Sequence, residues 1–133
     1  MTPKLVCFAL VLMLLTPGVA AIAVVTPILG TIPAYPGASR PLKNLETKER
    51  AIGLTSDKPD AVVAYYIHEL VAAGWTPAPE VSAEAVAAKD GKPAWLTFTR
   101  RGGGRIDIQV APGLHPRTGK PVTLITYETE FKP

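Results

Sequence analysis

The sequence predicts an α+β fold, with one main helix packed on an antiparallel sheet of about four to five strands in the order strand, helix, meander. Three observations carry that expectation. Asp57 to Gly74 holds apolar residues at helical spacing between a start signal and a stop signal. Ala94 to Arg100 and Arg105 to Val110 each alternate apolar and polar residues, as half-buried strands do. Gly102-Gly103-Gly104 separates those two runs and reads as a hairpin turn.

The elements follow in chain order. Lys4 precedes an apolar run from Leu5 to Leu15, then Thr16-Pro17-Gly18, then small residues at Ala20, Ala21 and Ala23. This is the layout of a secretory signal: a charged start, a short apolar stretch, a breaker and small residues at the cut. Residues 1–23 are therefore expected to be a signal peptide, cleaved after Ala20 or Ala23. The alternative is an uncleaved anchor, because Leu5 to Leu29 is long enough to cross a bilayer and membrane helices tolerate Pro17 and Gly18. Either way the remainder is expected to be extracytoplasmic, periplasmic or secreted. The single cysteine, Cys7, lies inside the leader. A cleaved product would have no thiol for a disulfide, a nucleophile or a metal.

Residues 24–45 form a proline-rich N-terminal segment, with Pro27, Pro33, Pro36 and Pro41. Proline lacks the amide proton and drives its predecessor to extended geometry, so this reads as loop. Tyr35-Pro36-Gly37-Ala38 is a type II turn signal. Residues 46–133 are expected to be a single α+β domain. A first strand falls within Asn44 to Thr55, where Ile52 and Leu54 share a side.

Asp57 is placed to cap the main helix, with Pro59 in its first turn. Val62, Tyr66, Leu70 and Ala73 form its stripe, widened by Val63, Ile67 and Val71. Gly74 stops it, and Trp75 is positioned to fold back on the last turn. Trp75 to Pro79 reads as a short strand and Val81 to Lys89 as a weak helical turn or a loop. After the alternating pair, a loop from Ala111 to Pro121 leads to a last strand over Val122 to Phe131.

At this level the chain resembles a group of small uncharacterised bacterial exported proteins, many of them lipoproteins. The shared pieces are Pro33-Ala34-Tyr35-Pro36-Gly37-Ala38, Thr55-Ser56-Asp57, Tyr65-Tyr66, Leu70, Gly74-Trp75 and the C-terminal hairpin strands. The resemblance spans roughly Ile32 to Phe131 and implies an extracytoplasmic α+β domain. The chain departs from the lipoprotein members in lacking a cysteine at the processing site.

Composition excludes several activities. The formal charge of +3 is too small to imply a nucleic-acid partner. From Lys89 to Pro133 there are eight basic residues against four acidic ones, so an anionic partner would sit on the second half. His68-Glu69 begins like a zinc-protease helix, but Ala72 stands where the second imidazole is needed. With His115 as the other histidine, no metal site and no cofactor are expected. Gly113 to Lys120 lacks the spacing and the following helix of a phosphate-binding loop. Ser39, Ser56 and Ser82 sit in no nucleophile motif.

The candidate binding residues are Trp95, Arg100, Arg101, Arg105, Arg117 and Lys120. The three arginines around the Gly102 turn would form a fork for phosphate or carboxylate groups if they converge. Alternation sends Trp95 to the face opposite Leu96 and Phe98. There it either stands exposed or is covered by the segment around Tyr35. The expected function is an envelope-associated binding or accessory module, non-catalytic, whose partner is an envelope protein or an anionic envelope component. A membrane partner is expected only if the leader stays uncleaved. The alternatives are a small extracytoplasmic hydrolase using Asp107, Glu128, Glu130 or His115, and a membrane-anchored structural protein.

Overall fold

The computed structural model describes residues 27–130, so the expected leader and Phe131 lie outside it. Its elements are β1 (Arg50–Thr55), α1 (Pro59–Ala72), β2 (Thr76–Pro77), α2 (Val81–Lys89), β3 (Ala94–Thr99), β4 (Arg105–Leu114) and β5 (Pro121–Glu130). The five strands form one antiparallel sheet in the order β1-β5-β4-β3-β2. The α+β class and the antiparallel sheet match the sequence expectation. Two details are corrected. There are two helices, not one main helix, and the order is strand, helix, strand, helix, meander.

The second helix spans Val81 to Lys89, the stretch whose sequence reads as a weak helical turn or a loop; it is rich in alanine and buries only Val81 and Ala88. Its end is nevertheless encoded. Gly91 takes φ +77°, the Lys92 amide donates to the Ala87 carbonyl (2.9 Å) and the Gly91 amide to Ala88 (3.1 Å). The same closure ends α1, where Gly74 takes φ +96° and the Trp75 amide reaches Leu70 (2.9 Å). Both satisfy carbonyls that a helix terminus would leave bare.

The start of α1 also differs. Lys58 is the cap residue and no side chain caps the helix. Pro59 opens it without wasting an amide proton. The Asp57 carboxylate instead accepts the Tyr35 hydroxyl at 2.6 Å. This draws the proline-rich segment onto the domain, and Ile28, Ile32 and Tyr35 join the same buried cluster as α1 and the sheet. The Tyr35-Pro36-Gly37-Ala38 turn closes with the Ala38 amide on the Tyr35 carbonyl (3.1 Å) and Gly37 at φ +80°.

The inner sheet face carries Ala94, Leu96, Phe98, Ile106, Ile108, Val110, Ile125 and Tyr127, all fully buried beneath the helices. Ala51 and Gly53 of β1 lie on that same face, opposite Tyr127 and Ile125. A Cβ at Gly53 would meet the Tyr127 ring at 3.5 Å, so the small residue leaves room for the phenol. Among the described residues no helix is long and apolar enough to cross a membrane.

Both sheet edges are covered, which removes bare templates for pairing with another chain. Beside β1, Ser39 exchanges backbone hydrogen bonds with Leu54 (2.9 and 2.8 Å), and the Ile52 amide donates to the Glu46 carboxylate (3.2 Å). Beside β3, short β2 pairs with Thr99 and Phe98. Further along, the Trp95 amide donates to the Glu84 carboxylate of α2 at 2.6 Å.

Candidate binding surface

Strand alternation puts every second residue on the outer face, away from the helices. Register then sets three rows across the sheet. Trp95, Gln109, Thr126 and Ile52 form the first; Thr97, Asp107, Glu128 and Arg50 the second; Thr99, Arg105 and Glu130 the third. Trp95 is 57% exposed, whereas Trp75 is 3% exposed. The segment around Tyr35 does not cover Trp95, because Tyr35 packs edge-on against Tyr65 with ring centroids 5.1 Å apart.

The polar side chains of the face are held in place. The Thr97 hydroxyl donates to one oxygen of Asp107 (2.8 Å), and Arg105 Nε donates to the other (2.9 Å). Arg50 donates through Nε (2.9 Å) and Nη2 (2.7 Å) to Glu128 Oε2. The hydrogen bond and charge of Asp107 hold the Arg105 guanidinium above its ordinary value. Trp95 borders two concavities. One, of about 310 Å³, is lined by Ile52, Asp107, Gln109, Thr126 and Glu128 among others. The second, of about 440 Å³, is lined by Glu80, Glu84, Thr97 and Arg105 with Trp95.

The six candidate residues divide. Trp95 and Arg105 line one concavity. The Arg100 guanidinium carbon lies 4.3 Å from the centroid of the buried Trp75 ring. Arg101 is exposed at the tip of the β3–β4 hairpin. Arg117 and Lys120 sit in the β4–β5 loop, at the other end of ten-residue β4 and so roughly 30 Å from that tip. Arg100 and Arg105 border a shared concavity of about 390 Å³ at the hairpin end, while Arg105 pairs with Asp107 and Arg100 lies over Trp75.

The residues weighed for catalysis are also placed. Asp107 and Glu128 are register partners on β4 and β5, each tied to an arginine. His115 Nδ1 accepts the Arg117 amide (3.0 Å) and the Thr118 amide (3.3 Å), which shapes the distant loop. His68 is exposed on α1 beside Glu69 (3.1 Å). Among the described residues no three metal-ligating side chains converge. Ile52, Gln109, Thr126, Arg50 and Glu84 belong to the surface but carry no local motif. Only the pairing of β1 with β5 brings Ile52 and Arg50 to it.

Fold and surface together define an α+β protein with helices on one sheet face and an open, polar second face around one exposed indole. No family model matches the chain, and no match was found among curated proteins or solved structures.

Proposed function

We propose that the chain is an exported, envelope-associated binding or accessory module, non-catalytic, that works through the outer face of its sheet. The observation that carries this reading is Trp95, more than half exposed on the regular strand β3. A large aromatic left in water there forfeits its burial energy, and such side chains act as anchors in binding surfaces. The fixed polar groups around it supply direction. The non-catalytic part rests on Asp107 and Glu128, whose charges are already answered by Arg105 and Arg50. The exported address rests on the signal pattern of residues 1–23 and on the resemblance to exported proteins.

The test is co-sedimentation of the protein, expressed from the full chain, with separated cell-wall and membrane fractions. Trp95→Ala is expected to reduce co-sedimentation at least tenfold while its thermal unfolding stays unchanged. Equal sedimentation of the variant and the parent would overturn the reading.

A further inference from the structure

We infer that the outer face binds a neutral glycan chain, with one sugar ring stacked on the Trp95 indole and its neighbours lying in the two flanking concavities. This rests on the binding-module reading and adds the ligand's chemical class. The concavities, of about 310 and 440 Å³, meet at Trp95, so an extended ligand crosses the indole in passing from one to the other.

Charge decides against a polyanion. Glu80, Glu84, Asp107 and Glu128 line the two concavities beside Arg50 and Arg105, and both guanidiniums are already paired within the face. An incoming phosphate or carboxylate would meet more negative than positive charge. A quaternary or peptide cation is disfavoured for another reason. Such ligands are held by a cage of several rings, and among the described residues Trp95 has no second aromatic beside it on this face: Phe98, Tyr66, Tyr127 and Trp75 are buried on the inner side.

A sugar ring fits what remains. Its apolar C–H face suits the indole, and its hydroxyls both donate and accept. Gln109 and Thr126 offer donors and acceptors in the row of Trp95. Glu128 Oε1 takes neither of the two Arg50 bonds, which both go to Oε2. It is left to accept a hydroxyl proton. Because Asp107 is pinned at both oxygens, the next row is pre-ordered, which lowers the entropy lost on binding.

The experiment is calorimetric titration with neutral chito-, cello-, manno- and malto-tetraose, set beside oligolysine and polyglutamate, each at up to millimolar concentration. At least one neutral tetrasaccharide is expected to bind. Its affinity should fall tenfold or more in Trp95→Ala and severalfold in Gln109→Ala, and stay unchanged in His68→Ala, on the exposed side of α1. The same sugar should displace the protein from the cell-wall fraction. If envelope material is bound through Trp95 but no neutral sugar binds or competes, the glycan assignment is overturned and the binding module stands. Preference for oligolysine or polyglutamate overturns it in favour of that charge class. Failure of both sugar binding and envelope binding sinks both.

Discussion

The hydroxyl of Tyr66 on α1 and that of Tyr127 on β5 share a hydrogen bond of 2.6 Å inside the core. Tyr66 has one hydroxyl proton, and it goes to the Pro33 carbonyl at 2.9 Å. Tyr127 is therefore the donor within the pair. The chain runs Tyr127 to Tyr66 to Pro33 and ties the last strand, the main helix and the N-terminal segment together. Tyr65 adds a parallel link, donating to the Ala34 carbonyl at 3.0 Å. All four tyrosines of the sequence take part in this cluster.

The two phenols differ in what their loss leaves behind. Tyr66→Phe strips the Pro33 carbonyl of its donor and the Tyr127 hydroxyl of its acceptor. It is expected to cost about 1–3 kcal/mol. Tyr127→Phe removes only the outer bond, since Tyr66 keeps Pro33, and is expected to cost about 0.5–1.5 kcal/mol. Urea unfolding of both single variants and the double variant measures the order. The double should fall short of the sum, because the shared bond is lost once. A larger loss for Tyr127→Phe would reverse the assigned direction of the bond.

The same cluster sets an alkaline limit. Burial, then the hydrogen bond to Asp57, pushes the Tyr35 phenol up to about 12. Burial likewise raises Tyr65, Tyr66 and Tyr127 above the ordinary tyrosine value of 10.0. A group whose folded pKa is raised stabilises fully below its unfolded pKa, and that stability drains away as pH rises toward the folded value. Stability should therefore hold to about pH 10 and fall between about 10 and 12. Absorbance at the phenolate band should show no tyrosine titrating near pH 10 before the far-ultraviolet circular dichroism collapses. Ordinary titration of several phenols in the intact fold would contradict the cluster.

Particular elements show how far the sequence carries. The helix α1 was legible because Val62, Tyr66 and Leu70 are large and evenly spaced, and Gly74-Trp75 closes it locally. The helix α2 has the same glycine closure at Gly91, but its alanines leave too faint a stripe to stand out from loop. The role of Asp57 is not legible in sequence, because a nearby cap position is visible there and a phenol 22 residues away is not. At the surface, alternation in β3 was enough to point Trp95 outward. The grouping of the arginines was not legible, since it depends on which strands pair. Arg100 meets Trp75 only because Thr76 registers with Thr99. Arg50 reaches the face only because β1 joins the sheet beside β5.

Glu46 guards the β1 edge and gives the fold an acid limit. Its carboxylate takes Arg40 Nη2 at 2.5 Å, Arg40 Nε at 3.1 Å and the Ile52 amide at 3.2 Å. The Arg40 bonds, with help from that amide and the Lys43 charge, hold its pKa below the ordinary value of 4.5. A depressed carboxylate contributes stability that is present above its unfolded pKa and lost as pH falls through the folded one. The loss should therefore lie below about pH 4.5. Glu46→Gln is expected to cost about 1 kcal/mol at neutral pH, a modest figure because Arg40 is one-third exposed. It should also flatten the acid limb of the stability profile. Glu46→Ala should cost more, because the Ile52 amide then loses its acceptor too.

Glu84 does for Trp95 what Glu46 does for Ile52, and the consequence reaches the binding surface. Beyond the end of β2, the Trp95 amide has no strand to pair with on that side, and the Glu84 carboxylate accepts it at 2.6 Å. This contact fixes both the edge of β3 and the backbone that carries the exposed indole. Hydrogen exchange followed by NMR should find the Trp95 amide protected in the parent protein. Glu84→Ala should speed its exchange by at least tenfold and cost about 0.5–1.5 kcal/mol of stability. Glu84→Gln keeps an acceptor oxygen at the same reach and should retain most of the protection. Any ligand that stacks on Trp95 should then bind more weakly to Glu84→Ala than to Glu84→Gln, because only the alanine variant loosens the strand beneath the ring. Equal exchange in all three proteins would show that the β3 edge is held by something other than this carboxylate.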